Sequence, residues 1–136
     1  MKRYLPIILL AFLFSFSGCD DALDCIFNVR PDLHDKTLAL GFVDEYYSEI
    51  ITADIKNEVN DNDYDYYFDV TGRLPEGIEV FYNRRREVVI KGTPVEAGRF
   101  NIEVYLEVTP YYDEHGRING PLCSDNTSNS YLLVIR

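Results

Sequence analysis

The sequence predicts an all-β sandwich of about seven short strands, set behind an N-terminal signal peptide. After residue 18, apolar side chains recur at every second position in one run after another, and no stretch keeps an amphipathic helical period over two turns. Between the runs stand Gly, Pro, Asn and Asp, the residues that turn a chain.

Residues 1–18 are a separate unit. Lys2 and Arg3 open it, an apolar run from Tyr4 to Phe16 follows, and Ser17 and Gly18 close it, which is the layout of a secretory signal. A helix crossing a hydrocarbon core needs about 20 apolar residues, so this run is too short to span one. Phe16-Ser17-Gly18-Cys19 resembles the lipobox read by the lipoprotein signal peptidase, with Phe16 where Leu is usual. That resemblance implies that the Cys19 thiol takes a diacylglycerol and that cleavage frees its amine for another acyl chain. The alternative is plain secretion with Cys19 unmodified. Asp20 and Asp21, next in sequence, lie where lipoproteins carry sorting signals, and the leaflet they specify stays open.

The mature chain then divides into residues 19–36, holding the acylated cysteine, a short tether and the start of the first strand, and a domain at 37–136. Ile26 to Val29 and Thr37 to Val43 read as a broken first strand. Tyr47 to Ile55 reads as the second, with Tyr47, Ile51, Ala53 and Ile55 inward; Glu49 shares that phase and must escape near an end or edge. Tyr66, Phe68 and Val70 mark a third strand, Ile78 and Val80 a fourth, and Val88 and Ile90 a fifth. The clearest is the sixth, where Phe100, Ile102, Val104, Leu106 and Val108 face one way and Asn101, Glu103, Tyr105 and Glu107 the other. Tyr131 to Ile135 is the last.

Charge excludes one class of partner. Two of the 13 basic residues leave with the signal and none of the 23 acidic ones does, so the mature charge is −12. Such a surface repels phosphate backbones and predicts no nucleic-acid binding. With Cys19 given to lipid, the three cysteines leave Cys25 and Cys123 as an expected disulfide, two separate thiols being the alternative. Neither sits in a CxxC or His/Cys cluster, and no cofactor or metal centre is expected.

Arg73-Leu74-Pro75-Glu76-Gly77-Ile78-Glu79-Val80 and Val89-Ile90-Lys91-Gly92-Thr93-Pro94-Val95-Glu96-Ala97-Gly98-Arg99-Phe100 resemble the paired "LPxGL" and "GTPxxAGxY" motifs of bacterial immunoglobulin-like domains related to cadherin-like and dystroglycan-type modules. The likeness extends over residues 38–136. It implies an immunoglobulin-like sandwich in which Phe100 replaces the corner tyrosine and Ile102 the second core cysteine of antibody domains, leaving a purely hydrophobic core. It also places Cys25 and Cys123 ahead of first and last strands that run side by side.

Three segments are candidate sites. The long connection from Thr109 to Asn129 joins the last two strands of such a sandwich and carries Tyr111, Tyr112, His115 and Arg117, the partner-contact candidates. Its other reading is a solvated connection held by the disulfide. Asp61, Asp63 and Asp65 alternate as calcium ligands do, but Tyr66 stands where an EF-hand loop needs Gly and Gly72 where it needs Glu, so an acidic hairpin loop is favoured. Arg84-Arg85-Arg86 reads as a solvated turn, with anionic glycans or headgroups as the competing reading. His34 and His115 are the only histidines and neither lies in a catalytic motif, so no enzyme is expected. The expectation is therefore a non-catalytic protein-interaction or adhesion-type module, anchored through lipid to the cell envelope, most simply the outer membrane. A glycan-binding lipoprotein of a polysaccharide uptake system is the alternative.

Overall fold

The computed structural model describes Cys25 and residues 28–83, 86–111 and 122–136. Seven strands follow one another: β1 (Arg30–Leu33), β2 (Tyr47–Lys56), β3 (Tyr64–Gly72), β4 (Ile78–Asn83), β5 (Glu87–Gly92), β6 (Gly98–Pro110) and β7 (Asn126–Ile135). The one helical turn among the described residues is a 3-10 turn at Asp61–Asp63. The strands form two antiparallel sheets, ordered β1-β2-β5-β4 and β3-β6-β7. With the strands lettered in chain order these are the A-B-E-D and C-F-G sheets of an immunoglobulin-like sandwich.

The alternation read in the sequence fills the space between the sheets. β6 buries Phe100, Ile102, Val104, Leu106 and Val108, and β2 opposes them with Ile51, Ala53 and Ile55. Val88 and Ile90 come from β5, and Tyr131, Leu133 and Ile135 from β7. No polar or charged residue is buried among the described residues, so burial of this continuous apolar layer is the main favourable term. Truncating a fully buried member such as Leu106 to Ala removes about 2–5 kcal/mol of stability.

The two motifs meet at one corner. Gly77 (φ +88°) and Gly92 (φ +148°) pack backbone against backbone, and a Cβ on Gly77 would overlap the Thr93 carbonyl oxygen. The Thr93 amide donates to Gly77 and the Val95 amide to Glu76, each at 3.0 Å. Glu96 completes the corner, accepting the Glu76 amide and, on both carboxylate oxygens, one Arg73 guanidinium nitrogen. The Glu76 amide first, and Arg73 after it, hold the Glu96 carboxyl below the usual range, while desolvation works the other way. Phe100 lies under the Arg73 guanidinium, 5.7 Å from carbon to ring centre, at the corner where antibody domains of this fold carry a tyrosine.

Two expectations about the early strands are corrected. The first described strand is Arg30–Leu33, paired antiparallel with Ala53–Lys56, and not Thr37–Val43; Ile26 and Phe27 of the earlier predicted segment lie outside the described residues. Pro31 is tolerated because β1 is an edge strand, and with Leu33 it faces the core. The later segment instead crosses to the other sheet, where Gly41 forms a parallel bridge with Ile135. Glu49 does lie near the start of β2, but it does not reach open solvent: its carboxylate is only 12% exposed and is paired with Lys36, whose ammonium also donates to the Ile50 carbonyl.

Candidate functional site

One end of the sandwich opens into a concave site of about 630 Å³, where β2, β3, the start of β5 and the residue after β6 converge. Its shape depends on Arg86. A three-residue connection joins β4 to β5 between the paired Asn83 and Glu87, and its last residue must turn left-handed, the position where glycine is the default. Arg86 occupies it at φ +67°. Its carbonyl accepts the Ala53 amide at 2.9 Å, and its guanidinium reaches the Asp61 carboxylate and the Asn62 side-chain oxygen. The same guanidinium lies 5.5 Å from the centre of the Tyr66 ring. Arg86 thus ties the 3-10 turn and β3 of one sheet to the β4–β5 hairpin of the other, and it is only a quarter exposed. This corrects the reading of the arginine run as a solvated turn for Arg86; Arg84 and Arg85 lie outside the described residues.

Tyrosines line the rest. The Tyr66 hydroxyl donates to the Asp61 carbonyl at 3.1 Å, and burial raises its pKa while the adjacent Arg86 opposes the rise. Tyr64 donates to Glu58 at 3.3 Å, and burial first, then Glu58, pushes it up to about 12. Tyr111, the described member of the predicted contact set, reaches in from the end of β6. Its amide donates to the Asp63 carbonyl and its hydroxyl to the Asp65 carboxylate, both at 2.9 Å.

The three alternating aspartates therefore do not converge on one point. Asp61 is committed to Arg86, Asp63 offers its carbonyl to Tyr111, and Asp65 holds the Tyr111 hydroxyl. Among the described residues no group of three or more His, Cys, Asp or Glu side chains is placed to hold a metal ion. Tyr112, His115, Arg117 and the predicted lipidation site Cys19 lie outside the described residues. Tyr64, Tyr66, Thr52 and Glu87 also line the site without having been singled out in the sequence, Tyr66 because the period-two reading assigns it to a strand and Tyr64 because it sits within the acidic run at 61–65. An arginine at the glycine-favouring position of a tight hairpin was the available signal.

Cys25 and Cys123 form the expected disulfide, closing a separation of 98 residues. The Cys123 amide donates to the Val29 carbonyl at 2.7 Å, so the long connection before β7 is fixed to the segment ahead of β1. On the nearby sheet face the His34 ring bonds Thr52 at 2.9 Å and Asp54 at 2.8 Å. His34 and Asp54 are 49% and 41% exposed, and a pair so open to water contributes at most about 1 kcal/mol.

The sequence matches none of the protein-family models and none of the curated proteins. Solved structures do resemble it in fold. The sialic acid binding region of a Streptococcus sanguinis adhesin, bound to a sialylated glycan, superposes with a TM-score of 0.51 at 16% identity, over 80% of this chain and 30% of that one. The endo-fucoidan hydrolase MfFcnA4 of glycoside hydrolase family 107 gives 0.48 at 14% identity, over 79% of this chain. The titin M3 domain gives 0.44 at 11% identity, over 79% of this chain and 98% of that domain. The chain spans only 14% of the length of the hydrolase.

Proposed function

We propose that this chain is a cell-envelope lipoprotein, anchored at Cys19, whose sandwich serves as a non-catalytic protein-interaction or adhesion-type module. The observation that carries the reading is the open end groove. Its side chains are held by hydrogen bonds, Tyr111 to Asp65, Arg86 to Asn62, and Glu87 from the neighbouring Asn83, so they present a fixed recognition surface. Rigid tyrosines among hydrogen-bonding polar groups are the composition of adaptable paratopes. The signal at residues 1–18 and the lipobox-like Phe16 to Cys19 support the anchor. A photo-crosslinking residue at Tyr111, tested on intact cells, should capture a discrete protein, and Arg86→Ala should abolish that adduct. Cys19→Ala should release the chain from the membrane fraction. An adduct unaffected by Arg86→Ala defeats the groove assignment, and a membrane-held Cys19→Ala chain defeats the anchor.

Glycan binding is the second reading. It is favoured by the Tyr66 and Tyr111 rings beside the planar groups of Asn62, Asp65 and Glu87, a combination suited to sugar faces and hydroxyls. The adhesin region binds a sialylated glycan on the same fold, which is compatible with this use. Glycan-array binding lost in Tyr111→Ala would select this reading over the first.

A further inference from the structure

We propose that the outer face of the β1-β2-β5-β4 sheet is a dimer surface whose partner is the same face of a second copy of this chain. The inference goes beyond the binding role above, and this face shares Thr52 and Glu87 with the rim of the groove.

Strand register arranges that face in three rows. Ile50, Val89 and Phe81 lie side by side across β2, β5 and β4, and Ile50 and Phe81 are each 42% exposed. One flanking row is Ser48, Lys91 and Glu79; the other is Thr52, Glu87 and Asn83. Consider a second copy turned about a two-fold axis lying along the apolar row. The row then meets itself, Lys91 faces the partner's Glu87, Glu79 faces the partner's Asn83, and Ser48 faces the partner's Thr52. Each contact occurs twice, as an isologous interface requires, and within these three rows no like charges stand directly opposite. Lys91 is already aimed along this seam, its ammonium 4.2 Å from the centre of the Phe81 ring.

Charge selects this sheet over the other. The outer face of β3-β6-β7 presents Asp65, Asp69, Glu103 and Glu107, so two copies meeting there would oppose carboxylate to carboxylate. On a chain with a net charge of −10, self-association needs a face where the signs alternate. Three strands by six residues cover about 14 Å by 20 Å, well below the roughly 800 Å² per partner of a standard interface, so the dimer is weak and concentration-dependent.

A residue on the two-fold axis meets its own copy, which gives a direct test on the full chain as expressed in cells. Val89→Cys should yield a covalent dimer on a non-reducing gel under mild oxidation, whereas Tyr105→Cys, on the opposite sheet, should not. Adding Lys91→Glu or Glu87→Lys to Val89→Cys should each cut the dimer yield about tenfold, because each sets two like-charge pairs across the seam. Co-expressing the two charge variants, differently tagged, should restore a mixed dimer, since every facing pair is again of opposite sign. That restoration also requires both variants to be folded. Equal crosslinking from Val89→Cys and Tyr105→Cys, or a mixture that dimerises no better than either variant alone, overturns the proposal.

Discussion

The Tyr131 hydroxyl donates to the His34 carbonyl at 3.0 Å, joining the last strand to the residue after β1 across 97 positions of sequence. Its ring is 3% exposed, so the bond lies at the edge of the core. Tyr131→Phe keeps the packing and strands one carbonyl, which should cost about 1 kcal/mol and lower Tm by about 4 °C. Thermal unfolding followed by circular dichroism measures it, and an unchanged Tm would show that water replaces the hydroxyl.

Burial raises the pKa of four tyrosines, Tyr47, Tyr64, Tyr66 and Tyr131, above the ordinary phenolic value of 10.0. Above about pH 10 the unfolded chain loses phenolic protons that the folded chain keeps, so the folded state binds more protons and stability falls as pH rises. Their contribution is fully present below pH 10 and is lost from there upward, with Tyr64 ionising in the folded state only near pH 12. Urea midpoints should therefore fall steeply between about pH 10 and 12, and Tyr66→Phe should flatten that slope.

Arg86 sets two effects against each other. Arg86→Ala keeps the left-handed backbone strain while removing the partner of Asp61, a carboxylate only 18% exposed, and should cost about 2–3 kcal/mol. Arg86→Gly loses the same contacts but relieves about 1 kcal/mol of backbone strain. Chemical denaturation should rank the wild type first, Arg86→Gly second and Arg86→Ala last.

Replacing Cys25 and Cys123 together by Ser frees a loop spanning 98 positions. The chain-entropy estimate for a loop of that length is about 4–5 kcal/mol, and measured losses for native bridges run about 2–5. The double variant should unfold at markedly lower urea concentration with β1 the first element to lose amide-exchange protection, since β1 has only four residues on a sheet edge.

Much of this was legible because a half-buried strand writes its own period. Phe100 to Val108 shows five inward residues in perfect alternation, and all five are buried. β1 was missed because Arg30-Pro31-Asp32-Leu33 is too short and too polar to show a period, and its position depends on pairing with β2, a long-range contact. Glu49 and Arg86 were misplaced for a related reason. Each is satisfied by a residue from another segment, Lys36 and Asp61, and local pattern carries no information about which distant charge folds back. The groove was only half visible. Tyr111 stood out as a loop residue, but of the tyrosines it joins, Tyr66 reads as a strand position and Tyr64 as part of the acidic run.

The Cys25–Cys123 bridge also decides how the domain carries mechanical load. Tension applied to the chain ahead of Cys25 reaches the bridge before it reaches β1, and passes through sulfur to the approach to β7. From there it enters β7, whose pairing with β6 runs through ten residue pairs from Gly98 opposite Ile135 to Glu107 opposite Asn126. The four-residue edge strand, which a pull on a chain without the bridge would peel away first, is then shielded, and resistance to rupture falls on the longest ladder among the described residues.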